Sequence, residues 1–233
     1  MQLALPIEWL PASGAAEQLI LLLHGDASNG AAMAPLAQAL RAEFPQAALL
    51  APDAPLVAPG APGLHEWFVE HDLCDGNRAE RVGTALPPLL DWVRHTQRRL
   101  AVGPAATAIA GFSQGAILAL ETALADDGLA GRVLSFSGRF VRLPTQAPRH
   151  TTVHLFHGGA DLNIAAAHSR SALQQLATLQ GDATLDIAEG VGHVMHPALV
   201  QRALFRLRNH IPARTWAAAL GALPGLPITP EKH

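Results

Sequence analysis

Apolar runs of strand length alternate along this chain with longer stretches of helical period. Residues 18–24 (QLILLLH) read as a buried strand, and residues 30–44 follow with Met33, Leu36, Ala37 and Leu40 on one helical face. A second short apolar run at 47–50 ends in a proline-rich loop over 52–62. Residues 77–100 again have helical spacing, and Pro87-Pro88 is expected to kink or divide that helix. Further strands are expected at 106–110, 132–136, 152–156 and 184–188. Further helices are expected at 114–125, 165–179 and 197–210, the last with proline in its first turn, where a missing N–H does no harm. This alternation predicts the α/β class: a mostly parallel central sheet flanked by helices on both faces. No internal repeat is visible, and no stretch is long enough for a separate lid domain, so an open site is expected. Residues 1–211 read as a single domain and residues 212–233 as a Pro/Gly-rich C-terminal tail.

Composition narrows the functional classes. A chain of 233 residues can bury a full core within one domain, and 49% hydrophobic against 15% charged residues is a globular balance. A net charge of −3 argues against a nucleic-acid partner and gives no attraction to an anionic membrane. Cys74 is the only cysteine, which excludes an internal disulfide framework and a multi-cysteine metal site and fits a reducing cytosol. Residues 1–11 lack a basic segment and Glu8 interrupts their apolar stretch, so no signal peptide is expected. The apolar run at 19–23 is too short to span a bilayer. The expectation is a cytoplasmic protein without stable membrane insertion.

The chemistry is concentrated at strand ends. Gly111-Phe112-Ser113-Gln114-Gly115 has the Gly-x-Ser-x-Gly pattern, which forms a sharp strand-to-helix turn that lifts a serine hydroxyl above a sheet edge. The five residues alone are modest evidence; a strand expected before them and a helix after them make Ser113 a candidate nucleophile. A serine hydroxyl needs a neutral imidazole to take its proton, and that imidazole needs an acid to orient it. Asp161 follows the strand at 152–156, and His193 follows the last strand, so Ser113, Asp161 and His193 occur in the order this kind of site requires. Other readings stay open. Asp161 is also placed as a cap before the helix at 165, and Asp182 and Asp186 are other acids. His196 suits helix entry before Pro197, and the His193/His196 pair has the spacing of a metal motif without its partners. His154 and His157 flank a strand end and read as structural. An oxyanion would need two donors: the N–H of Gln114 at the head of a helix, and one from the loop at His24-Gly25-Asp26, which by itself reads equally as a strand-ending turn.

Taken together, LLLHGDASNG at 21–30, PDAP at 52–55, Trp67-Phe68, GFSQGAILAL at 111–120, HGGAD at 157–161 and GVGH at 190–193 resemble the small carboxylesterase/phospholipase family of α/β-hydrolases, which includes the acyl-protein thioesterases. The resemblance implies an α/β-hydrolase fold and hydrolysis of a small-molecule acyl ester through Ser113, His193 and Asp161. It implies an oxyanion hole from the backbone N–H groups of Asp26 and Gln114, and neither metal nor cofactor. Thioesters and lysophospholipids are alternative substrates for the same residues, and a catalytically silent scaffold is the reading outside enzymes. Two positions depart from the family. Asp26 stands where an apolar residue is usual and is expected to turn its carboxylate away from the oxyanion. Ile164-Ala165 replaces the usual Val-Pro after the acid. Trp67 and Phe68 are candidates for the acyl groove, with core packing as the competing role. Oligomeric state is not legible.

Overall fold

A computed structural model describes residues 5–221. Its strands are β1 (Ile7–Trp9), β2 (Gln18–Leu23), β3 (Ala47–Ala51), β4 (Leu56–Val57), β5 (His65–Glu66), β6 (Thr107–Phe112), β7 (Arg132–Phe136), β8 (Thr152–Gly158) and β9 (Ala183–Ala188). Its α-helices are α1 (Ala34–Glu43), α2 (Asp75–Leu100), α3 (Gln114–Ala125), α4 (Ala167–Thr178), α5 (Pro197–Asn209) and α6 (Ala213–Gly221). Seven strands form one sheet in the order β1-β3-β2-β6-β7-β8-β9, parallel throughout except for β1, which runs antiparallel along the β3 edge. The short β4–β5 hairpin lies outside that sheet.

The central strands β2, β3, β6, β7 and β8 are buried on both faces because successive side chains alternate sides and helices cover each. Leu19, Leu21 and Leu23 pack with Leu89 and Val93 of α2, Ile117 of α3 and Leu176 of α4. Ile20 and Leu22 point the other way, among Leu36 and Leu40 of α1 and Leu199 and Ala203 of α5. The chain leaves β2 for β3 on one side, then returns to place β6 on the other. Open α/β sheets bind ligands at the crevice such a reversal creates at the carboxyl ends.

Three sequence expectations change. The helix expected at 77–100 is neither cut nor divided by Pro87 and Pro88. Each proline removes the N–H that would bond four residues back, but the carbonyls so freed belong to Gly83 and Thr84, both exposed, where water can take their place. The helix expected over 30–44 begins as a 3-10 turn at Gly30–Met33 before α1. The tail expected over 212–233 opens with α6, and residues 222–233 of it lie outside the described residues.

A polar clasp fastens that last segment to the amino ends of the strands. Asp182 accepts from His210 Nε2 (2.9 Å), Thr152 Oγ1 (2.7 Å) and Ala213 N (3.1 Å). Arg214 donates to Thr152 Oγ1 and Gly131 O, and Arg132 to His210 O. Hydrogen bonds from Thr152, Ala213 and His210 outweigh burial and hold the Asp182 carboxyl below its ordinary value. Asp186, the other acid weighed, is tied to Arg202 (2.7 Å) and Arg206 (2.8 Å) of α5.

Within the clasp, His154 is fully buried, with Nε2 2.9 Å from the Arg132 guanidinium and Nδ1 2.8 Å from Thr184 Oγ1. A guanidinium only donates, so Nε2 is the acceptor and Nδ1–H donates. Burial first, then the charges of Arg132 and His210, push this imidazole down from 6.5 to about 3. Between those values the unfolded chain holds a proton that the folded chain refuses, so stability rises with pH in that window and drains away as pH falls through it. The urea midpoint is therefore expected to fall between pH 6.5 and 4, and His154→Gln to flatten that slope by about one proton. An unchanged slope excludes His154 as the source.

Candidate functional site

Ser113 sits between β6 and α3 with φ 52° and ψ −116°, a conformation costing roughly 1–3 kcal/mol and held by its surroundings. Two glycines make the turn. A Cβ on Gly111 would collide with the carbonyl of Gly115, and one on Gly115 with the carbonyls of Leu23 and His24 in the neighbouring strand and loop. The Ser113 N–H donates to Phe136 O (3.0 Å), fixing the turn from the other side of β6.

His193 follows β9 and reaches back to the serine. Its Nε2 is 2.9 Å from Ser113 Oγ, and its Nδ1 is 2.7 Å from Asp161 Oδ2. The second oxygen of Asp161 accepts from the N–H groups of Asn163 and Ile164, both at 2.9 Å. Burial would raise the Asp161 carboxyl, but the Ile164, His193 and Asn163 hydrogen bonds outweigh it, and the group lies below its ordinary value as an anion. The turn after Asp161 is thus held by the carboxylate itself through Asn163 and Ile164. His157 is buried beside Asp161, with Nδ1 2.7 Å from Ser169 Oγ and Nε2 2.8 Å from Ile164 O. Burial pushes it down, which disfavours a charged imidazole at this position. His196 accepts from Ala198 N–H and caps α5, the helix-entry role.

The loop after β2 passes directly against the serine: a Cβ on Gly25 would lie 3.0 Å from the Phe112 ring and 3.3 Å from Ser113 Cβ. Asp26 follows it, and Gln114 opens α3, so the Gln114 N–H has no acceptor within its own helix. The Gln114 side chain is buried and bonds four groups. Its Oε1 accepts from Trp67 N (2.9 Å), while Nε2 donates to Glu70 (2.8 Å), Phe68 O (3.1 Å) and Asp26 Oδ1 (3.3 Å). Burial and the neighbouring Glu70 charge raise the Asp26 carboxyl above its ordinary value.

Trp67 and Phe68, candidates for the acyl groove, are corrected: each is 2% exposed in the core, and neither lines the cleft over Ser113. The Trp67 indole donates to His24 O (2.8 Å), and His24 Nε2 accepts from Ala54 N (2.9 Å), so these residues splice three loops beneath the site. Aromatic pairs serve grooves and cores alike, and their spacing carried no signal to separate the two.

The cleft itself has a volume of about 510 Å³ and is lined by Ser113, His193, Asp26 and Gln114. Sequence reasoning missed its remaining walls. Leu73 and Arg78 come from the start of α2 and the loop before it, Arg139 from the loop after β7, and His168 from α4. Only Arg139 had a usable signal, since it follows the carboxyl end of a parallel strand.

Known proteins share this arrangement of chain. Residues 10–211 match the Phospholipase/Carboxylesterase family model. The chain is 40% identical to Esterase YpfH of Escherichia coli (strain K12) over 211 residues, 90% of each chain. The crystal structure of esterase PE8 superposes with a TM-score of 0.83 at 33% identity, covering 91% of this chain and all of that one. The Bacillus cereus carboxylesterase, at 17% identity and a TM-score of 0.73 over 86% of this chain and 91% of its own, shares the fold. No described helix is long and apolar enough to cross a membrane. A strained serine turn, a sheet that reverses beside it and a family match spanning both lead to one assignment: the chain belongs to the phospholipase/carboxylesterase family of α/β-hydrolases and acts on ester bonds.

Proposed function

We propose that this protein is a serine carboxylesterase in which Ser113 is the nucleophile, His193 the general base and Asp161 the acid that orients it. The observation carrying this reading is the continuous relay from Ser113 Oγ to His193 Nε2 (2.9 Å) and from His193 Nδ1 to Asp161 Oδ2 (2.7 Å). Because Asp161 is an anion, Nδ1 carries the proton and Nε2 is free to accept one from the serine. Ser113 attacks the ester carbonyl as its proton passes to His193, and the carbonyl oxygen becomes an oxyanion held by the N–H groups of Asp26 and Gln114. Collapse of this intermediate expels the alcohol, which takes the proton from His193. Water, deprotonated by His193, then splits the acyl-enzyme and restores Ser113.

The cleft favours short acyl groups. Its apolar lining is confined to small patches at Leu73, Phe112, Ile117 and Ile164 among polar and charged side chains, whereas a long acyl chain needs a continuous apolar surface. A fluorophosphonate probe is expected to label the protein on the peptide containing Ser113, read by mass spectrometry. Absence of labelling, or labelling elsewhere, overturns the assignment.

A further inference from the structure

We propose that the cleft contains an anion-binding subsite formed by Arg78, Arg139 and His168, and that the preferred ester carries a negatively charged group, a carboxylate being the simplest that fits. The inference rests on Ser113 being the nucleophile, because it is the shared cleft that joins the two.

All three side chains line the same cleft as Ser113 and His193. The side chains of Arg78 and Arg139 are only 15% and 19% exposed. A guanidinium withdrawn this far from water requires a close, well-aligned anion. The anion the protein supplies is a poor one. Asp75 Oδ1 lies 4.0 Å from Arg78 Nη2 and 3.5 Å from Arg139 Nη2, both longer than a hydrogen bond, and its own side chain is 84% exposed. Arg78 Nε is buried and has no hydrogen-bond partner among the described residues. Arg139 spends its Nε on the carbonyl of the next residue, Phe140, at 3.3 Å, and its Nη1 stands 3.5 Å from His168 Nε2.

The electrostatics agree with this geometry. Burial and the Arg78 charge lower the Arg139 guanidinium, with Asp75 only partly opposing them. Burial, then Arg139, push the His168 imidazole down, so it stays neutral and offers a polar edge instead of a third charge. The cleft's carboxylates do not cancel the arginines. Glu70 and Asp26 are engaged by the Gln114 amide, and burial raises the Asp26 carboxyl. Both guanidinium groups lie within 4.0 Å of one carboxylate oxygen, so a single bound anion can bridge them. The apolar side chains of Leu73, Ile117 and Ile164 in the same cleft suit the few methylenes that would separate such an anion from the ester.

The test compares kcat/KM for two matched pairs, corrected for uncatalysed hydrolysis. Mono-4-nitrophenyl glutarate against 4-nitrophenyl valerate places the charge on the acyl side. 4-Acetoxybenzoate against its methyl ester places it on the alcohol side. Wild-type enzyme is expected to prefer the charged member of one pair by about 10-fold at low salt, and that pair identifies the side. Arg78→Gln and Arg139→Gln are each expected to reduce the preference by about 10-fold, with the lysine variants restoring part of it. General damage to the folded site lowers both members alike and leaves their ratio in place, so an unmoved ratio overturns the subsite. Ratios near one for both pairs in wild-type enzyme overturn it too. If Ser113→Ala is inactive while the ratios are flat, only the subsite fails; if Ser113→Ala stays active, the nucleophile assignment fails first.

Discussion

Replacing Ser113 with alanine should lower kcat for a short 4-nitrophenyl ester by about 10^5-fold, with KM little changed. The substitution removes one oxygen. His193, Asp161 and the two N–H groups stay where they are, since Ser113 N–H still donates to Phe136 O and alanine meets the same glycine-cleared turn. A residual rate above that in water, on the order of 10^3-fold, is expected from the oxyanion donors acting on water attack. Alanine is no better suited than serine to φ 52°, so stability should shift little, and the urea midpoint checks this. Unchanged hydrolysis in this variant would falsify the nucleophile assignment.

Asp161→Asn should cost about 10^4-fold in kcat, for a reason written in the loop around it. One carboxylate oxygen accepts two backbone N–H groups, from Asn163 and Ile164, and the other faces His193 Nδ1. An asparagine has one acceptor oxygen and one donor nitrogen. The two N–H groups claim the oxygen, which leaves the NH2 facing His193 Nδ1. That ring nitrogen must then accept, its proton moves to Nε2, and Nε2–H points at Ser113 Oγ, where a base is needed. The loss should fall on kcat and ease at high pH as hydroxide replaces the missing base. Retention of more than a tenth of the wild-type rate would mean that Asp161 is not the orienting acid; buried His157, 3.4 Å from the same oxygen, offers no substitute anion.

The fold was legible because its central strands are mostly apolar on both faces and most of its helices are not. The run QLILLLH has the length and apolar character of a strand covered on both sides, and five such strands, β2, β3, β6, β7 and β8, make the core of a parallel sheet. The first edge strand, β1, carries only three residues, with Ile7 and Glu8 exposed, too little pattern to register. At the candidate site, the convergence of Ser113, His193 and Asp161 was legible from order and strand ends. The sequence pointed only to the backbone N–H of Gln114. Its side chain meets Trp67, Phe68, Glu70 and Asp26, contacts made across 44 to 88 residues of sequence. Trp67 was misplaced for the same reason, since its burial depends on His24 and Ala54, which local periodicity does not see. Arg78 and Arg139 look like ordinary surface arginines in sequence, and only the closing of α2 against the loop after β7 brings them to one cleft.

The clasp at Asp182 also decides which way the enzyme faces when it is attached to something. Its contacts all fall at the amino ends of β7, β8 and β9, through Gly131, Thr152 and Asp182, while Ser113 and His193 lie past the carboxyl ends of β6 and β9. A bead or carrier coupled beside exposed Ala213, at the start of α6, would therefore grip the molecule by its back and leave the cleft turned toward the bulk solution. Coupling through the exposed thiol of Cys74, next to Leu73 in the cleft wall, would do the reverse.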